Sequence, residues 1–187
     1  MDGTGRIVYD AAMTLDGWIA DERDSLDWLF AAAGGDGPPP EDLYPARAAV
    51  LVEGSRTYEW VLEHEDLIAR PERWSQLYGT KPTYVFTTRV LPIPRGADVR
   101  LVGGPVADAL PAIRAAAAGG DIWVVGGGEL AGQFLDAGAL DEIALSVAPA
   151  SLGGGAPVLP RRVGSDRLRL VSASQSGPFA RLVYAVR

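Results

Sequence analysis

Short apolar runs punctuate the chain at intervals that leave room for a helix between them. "RIVYDAAM" (Arg6 to Met13), "ARAAVLVE" (Ala46 to Glu53), "PTYVFTT" (Pro82 to Thr88) and "DIWVV" (Asp121 to Val125) have the length and composition of buried strands. The spacers carry stripes at helical spacing: Tyr58, Val61 and Leu62 after Gly54, then Val106, Leu110, Ile113 and Ala117 behind Pro105, then Leu130 and Phe134. Strands alternating with core-facing helices predict an α/β fold around a largely parallel sheet. Toward the C-terminus the period drops to two, as in "ARLVYAVR", where Arg181, Val183, Ala185 and Arg187 alternate with Leu182, Tyr184 and Val186. Together with "DEIALSVAPA" and "RLRLVSAS" it predicts closing strands, some of them antiparallel.

Glycine and proline mark the breaks. "AAAGGDGPPPEDLYP" (Ala31 to Pro45) cannot continue a helix through Pro38, Pro39 and Pro40 and reads as a long surface loop. "LPIPRGAD" and "SLGGGAPVLP" read as further loops. With 187 residues, 48% of them hydrophobic, the chain is expected to form one domain over residues 1–187.

Charge and composition narrow the chemistry. A formal net charge of -7 disfavours nucleic acid and anionic membrane as general partners. The absence of cysteine excludes disulfides, thiolate catalysis and cysteine-ligated zinc, and no metal is expected. His64 is the one imidazole, and it sits in the acidic segment "LEHED", where an exposed residue without a catalytic role is expected. The N-terminus has no charged region followed by an apolar one, and no apolar run approaches the ~20 residues that span a bilayer, so a cytoplasmic protein is expected.

The stretch "DIWVVGGGEL" carries the strongest chemical signal. A strand leading through glycines into a helix start offers unpaired backbone N–H groups and the positive end of the helix dipole, with no Cβ to hold a phosphate away. The alternative is that the glycines serve a sharp turn and close packing of helix on sheet. Gly126, Gly128 and Ala131 match the dinucleotide fingerprint formally, but they come after the fourth strand rather than the first, and no acid ends the next strand. Gly54, Ser55, Arg56 and Thr57 follow the second strand, and Thr87, Thr88 and Arg89 follow the third. Hydroxyls and guanidinium groups at strand ends suit a phosphate-bearing ligand laid across them, and two arginines suit the 2′-phosphate of NADPH.

These segments carry a family resemblance. "AAMTLDGWIADERDSLDWL", "GSRTYE", "TTR" and "VVGGGELAGQFLDAGALDEIALSVAPASLGGG" resemble the dihydrofolate reductase-like superfamily. Within it, the chain is similar to the C-terminal reductase domain of the bifunctional deaminase-reductase of riboflavin biosynthesis. The resemblance implies a mixed, mostly parallel sheet of about eight strands flanked by helices, and an NADPH-dependent reductase. It implies that Gly54, Ser55, Arg56 and Thr57 hold phosphates and that Thr87, Thr88 and Arg89 border the adenosine 2′-phosphate. Val125, Gly126, Gly127, Gly128, Glu129 and Leu130 would lie along the diphosphate and nicotinamide, which Ala12, Gly17 and Ile19 would also approach.

Such a site passes a hydride to a C=N or C=O carbon of a small substrate, pterin- or pyrimidine-like, and delivers a proton to the heteroatom. The candidate acids are Asp16 in "TLDGW" and Asp27 in "SLDWLF"; Asp16 has an alternative role in a turn with Gly17, and Asp27 in favouring a helix start capped by Ser25. Trp18 and Trp28 are candidates for an aromatic substrate wall. Gly126 stands where the riboflavin-pathway reductases commonly have a glutamate, and the zinc deaminase half is absent, so the substrate is left unassigned. A nucleotide-binding protein without turnover and a homodimeric assembly module with a vestigial cleft are the other readings. A homodimer is compatible with all three.

Overall fold

The computed structural model describes residues 5–32 and 48–187. Of the loop expected over Ala31 to Pro45, Ala31 and Ala32 are helical instead, and the part from residue 33 onward lies outside the described residues.

Strand β1 (Ile7–Thr14) occupies the middle of an eight-stranded sheet. Beyond it come a short β2 (Trp18–Ala20), helix α1 (Asp27–Ala32) and strand β3 (Ala48–Gly54). Helices α2 (Ser55–His64) and α3 (Glu72–Tyr78) lead to β4 (Thr83–Phe86) and β5 (Val99–Val102). Helix α4 (Val106–Ala117) returns the chain to β6 (Asp121–Gly126), and α5 (Gly128–Asp136) carries it to β7 (Glu142–Ala148). A two-residue β8 (Ala156–Pro157) pairs with β2, and β9 (Leu168–Ser176) and β10 (Phe179–Val186) close the chain.

The sheet order is β5-β4-β3-β6-β1-β7-β10-β9. The first six strands in this order are parallel, and β10 joins β7 and β9 antiparallel. It is the mixed, mostly parallel sheet with flanking helices that the sequence predicts.

Strand residues alternate between two cores because the pleat sends successive side chains to opposite faces. Ile7, Tyr9, Val52, Tyr84 and Val124 pack with Ile113 of α4 and Phe134 of α5 on one face. Val85 packs with Tyr58, Val61 and Leu62 of α2 and with Trp74 of α3 on the other. The stripes on α2 and α5 are buried as read; on α4, Val106, Ile113 and Ala117 are buried, Leu110 is half-buried, and Ala109 completes the face.

Four elements escape the sequence reading, the first being β2, whose Trp18–Ala20 were read as loop. β5 is four residues at the sheet edge with exposed Arg100, too short and too polar to register as a strand. β8 lies inside a segment read wholly as loop, and its pairing with β2 is a tertiary contact rather than a local preference. Helix α3 is a single short amphipathic piece that buries only Trp74.

The arrangement creates a crevice. β3 and β6 are adjacent and parallel, yet α2, after β3, covers one face of the sheet, and α5, after β6, covers the other. In open α/β sheets a divergence of this kind at the carboxyl ends of neighbouring strands is where ligands bind. No helix among the described residues is long and apolar enough to cross a membrane.

Candidate active site

The crevice opens into a cleft of about 1280 Å³. Pockets for one small molecule run to roughly 300–1,000 Å³, so this one has room for a cofactor and a substrate side by side.

Two helix N-termini face each other across its floor. Gly54 caps α2 and Gly127 caps α5, and neither helix has a side-chain capping hydrogen bond. They are close neighbours: a Cβ on Gly54 would lie 3.6 Å from both the Gly126 oxygen and the Gly127 nitrogen. Free N–H groups and two converging helix dipoles make a positive, anion-accepting floor.

The three consecutive glycines have separate reasons. Gly128 is a packing residue, since a Cβ there would come within 2.2 Å of the Pro157 carbonyl oxygen and 2.4 Å of that of Val158. Gly126 has φ of +154° and abuts Thr57 Oγ1. Gly127 has an ordinary φ of -81°, and an added methyl would meet only Ile19 Cδ1, at 3.7 Å. Neither the turn nor the packing requires its bare backbone, which faces the cleft. The packing explanation therefore holds for Gly128, and Gly127 is the glycine that packing leaves unexplained. Gly128→Ala is expected to lower stability by about 1–3 kcal/mol and Gly127→Ala by less than about 1 kcal/mol, measured by urea unfolding.

Most of the candidate cofactor residues line this cleft: Ala12 and Ile19 from the N-terminal segment, Gly54 to Thr57, and Val125 to Leu130. Arg56 is exposed and stands 3.7 Å from Asp24, which lines the cleft with it. Glu129 is held by a bidentate pair with Arg161 at 2.8 and 2.9 Å, which keeps its carboxyl below the usual range. Trp28 is on the lining, and its indole N–H is buried with no partner among the described residues.

Others lie outside the lining. Thr87 and Thr88 are beyond it at the end of β4, and Arg89 binds Glu59 of α2 through two hydrogen bonds. Gly17 is in a turn with φ of +90°, and Trp18 stands in β2, donating its backbone N–H to Thr14 Oγ1. Asp16 is fully engaged elsewhere: it accepts hydrogen bonds from Thr14 Oγ1, Ser151 Oγ and the N–H groups of Leu152 and Gly153. Chiefly the Thr14 hydroxyl, with those other donors, holds its carboxyl far below the usual range. The carboxylate thus ties the turn to the 151–153 loop, which is the alternative role read for Asp16 beside Gly17. Asp27 begins α1, exposed and off the lining, with its N–H bonded to Ser25 Oγ at 3.0 Å, so its helix-start role is the one its position supports.

The structure adds groups that the sequence reading missed. Asp10 stands on β1 in the cleft, buried, and paired with Arg181 of β10 at 2.7 and 2.5 Å. Burial outweighs the guanidinium and pushes its carboxyl up to about 6. Trp123 lies beside it and donates Nε1–H to the Asp10 carbonyl at 3.2 Å. An aromatic wall closes the side: Phe30, Trp60 and His64 have nearly parallel rings, Trp60 and His64 4.4 Å apart. His64 is exposed as expected, though it stands on the rim of the cleft.

Comparison with known proteins places this geometry. Residues 71–180 match the family model of the RibD C-terminal domain. The uncharacterized protein YwjB of Bacillus subtilis is 30% identical over 179 residues, covering 96% of this chain and 97% of that protein. A crystal structure from Shewanella sp. PV-4 superposes with a TM-score of 0.71 at 24% identity, over 98% of this chain and 99% of the other. The diaminohydroxyphosphoribosylaminopyrimidine deaminase/5-amino-6-(5-phosphoribosylamino)uracil reductase of Thermotoga maritima superposes with a TM-score of 0.62 at 16% identity. That match takes in 98% of this chain but only 57% of the larger one.

Proposed function

The chain belongs to the RibD C-terminal domain family, and on that premise we propose that it is an NADPH-dependent reductase of a small, pyrimidine- or pterin-like substrate. The observation that carries the reading is the pair of neighbouring glycine-capped helix N-termini, Gly54 on α2 and Gly127 on α5, opening on one cleft. The residues fit a dinucleotide. The N–H groups at the two helix starts would hold the diphosphate, and Arg56, with Arg89 and the hydroxyls of Thr87 and Thr88, would receive the 2′-phosphate in exchange for their present carboxylate partners. Ala12 and Ile19 would border the nicotinamide.

When bound, NADPH supplies a hydride for a C=N or C=O carbon. The chain positions the substrate and excludes water. Trp28, Trp60 and Phe30 wall the cleft with apolar surface, and the buried Trp123 and Asp10 form its floor. Asp16 and Asp27 lie off the lining, so neither is placed to deliver the proton, which favours solvent or Asp10 as its source. The same observation keeps a binding protein without turnover as the second reading.

The half-exposed Leu170 and Val171 on edge strand β9 support a homodimer, and a cytoplasmic setting goes with the reductase reading.

Titration with NADPH and NADH tests the cofactor assignment. Arg56→Ala and Arg89→Ala should each weaken NADPH by about tenfold and leave NADH nearly unchanged, since a hydrogen bond to a charged group contributes about 1.5–3 kcal/mol. Equal losses for both nucleotides would remove the arginines from the 2′-phosphate, and no binding of either would end the reductase reading.

A further inference from the structure

Among the described residues of the cleft lining the one buried carboxylate is Asp10, 3% exposed on a strand of otherwise apolar or small residues. Arg181 meets it end-on, one hydrogen bond to each oxygen, and the same guanidinium donates to Ser146 Oγ at 3.1 Å. An end-on pair uses one lone-pair site on each carboxylate oxygen and leaves one on each free. Among the described residues no second donor reaches either oxygen, because the adjacent Trp123 indole bonds to the Asp10 backbone carbonyl instead.

The carboxylate is therefore fixed in position by its partner and still able to accept. The cleft also holds an orphan donor, the buried Trp28 N–H. A ligand offering N–H groups and a ring acceptor would satisfy both. Asp21, Asp24, Glu65 and Glu129 also line the cleft, but each is already paired with an arginine, Arg23, Arg56, Arg73 and Arg161 in turn, which leaves Asp10 as the buried acceptor of the lining.

We infer that Asp10, held by Arg181, is the specificity-determining residue of the cleft, accepting N–H bonds from an amino-bearing planar heterocycle. The inference deepens the reductase reading and rests on it for the identity of the site. It adds a residue to the sequence-based expectation, which named Asp16 and Asp27 as candidate acids and Trp18 and Trp28 as the substrate wall.

The test uses 2,4-diaminopyrimidine as the probe and 2,4-dimethoxypyrimidine as the same ring without N–H groups, followed by quenching of tryptophan fluorescence. The variant is Asp10→Asn/Arg181→Met, which removes both buried charges together and so avoids stranding either. Wild-type protein should bind the diamino probe at least about tenfold more tightly than the dimethoxy one, and the variant should lose that preference, as expected for a charged acceptor. Equal binding of the two probes by wild-type protein overturns the inference even if the variant does not fold. A preference that survives in the folded variant also overturns it. Melting with NADPH in parallel separates the two readings: no shift in the wild type counts against the cofactor alone, and a shift with equal probe binding counts against Asp10 alone.

Discussion

Replacing Glu53 with leucine should raise stability, and the gain should grow with pH. Glu53, the next-to-last residue of β3, has no exposed surface, and neither carboxylate oxygen has a hydrogen-bond partner among the described residues. The nearby Tyr58 hydroxyl gives its proton to the Pro92 carbonyl rather than to Glu53. Burial alone pushes the carboxyl up to about 8. The unfolded chain titrates at an ordinary carboxylate value and the folded chain near 8, so the folded state binds the extra proton in between. Stability is fully present below about pH 4.5 and is lost as pH rises to about 8, with a ceiling of roughly 5 kcal/mol. Glu53→Leu abolishes this slope and should be more stable than the wild type by about 2–4 kcal/mol at pH 8. Urea unfolding at pH 5 and pH 8 measures it. Parallel pH dependence in the two proteins would mean that Glu53 finds a partner in solution.

Arg181→Met is the second large effect, with the opposite sign. The Arg181 side chain is 16% exposed and that of Asp10 2%, so removing the guanidinium leaves a carboxylate with almost no water. Breaking a buried pair from one side costs about 3–5 kcal/mol, whereas removing both charges is often near neutral. Asp10→Asn/Arg181→Met should therefore recover more than half of what Arg181→Met loses at pH 7. A double variant as unstable as the single one would locate the cost in lost packing of the arginine stem instead.

Much of the architecture was legible because its signals are local. The apolar runs that became β1, β3, β4 and β6 stand out by composition, and the alternation of "ARLVYAVR" marks β10. The stripes on α2 and α5 announce their buried faces for the same reason. β5 and β8 were not legible, since a four-residue edge strand and a two-residue bridge owe their conformation to the strands they pair with.

The site was legible in its backbone and less so in its side chains. Glycines before a helix declare bare N–H groups, and Gly54 and Gly127 stand where that reading puts them. Which glycine answers to packing depends on Pro157 and Val158, some thirty residues away, and no local pattern carries that. Asp10 and Glu53 had a signal that went unread: each is an acid inside or at the end of an apolar strand, where a buried charge requires a partner or a shifted proton. Arg181 repeats the signal on β10, but the pairing follows from the strand order, which sets β1 and β10 on either side of β7. Asp16 kept two readings because an acid beside glycine in a loop suits both a turn and a catalyst, and its bonds to the 151–153 loop, distant in sequence, are what support the turn.

The central claim is that the cleft between α2 and α5 binds NADPH, and thermal unfolding with and without the nucleotide tests it most directly. At about 100 times its dissociation constant, NADPH should add roughly 2.7 kcal/mol to the stability of the folded chain, with a smaller increase from NADH at the same concentration. No rise in melting temperature at saturating concentrations of either nucleotide would contradict the account and leave the two glycine-capped helix starts without an anion to hold.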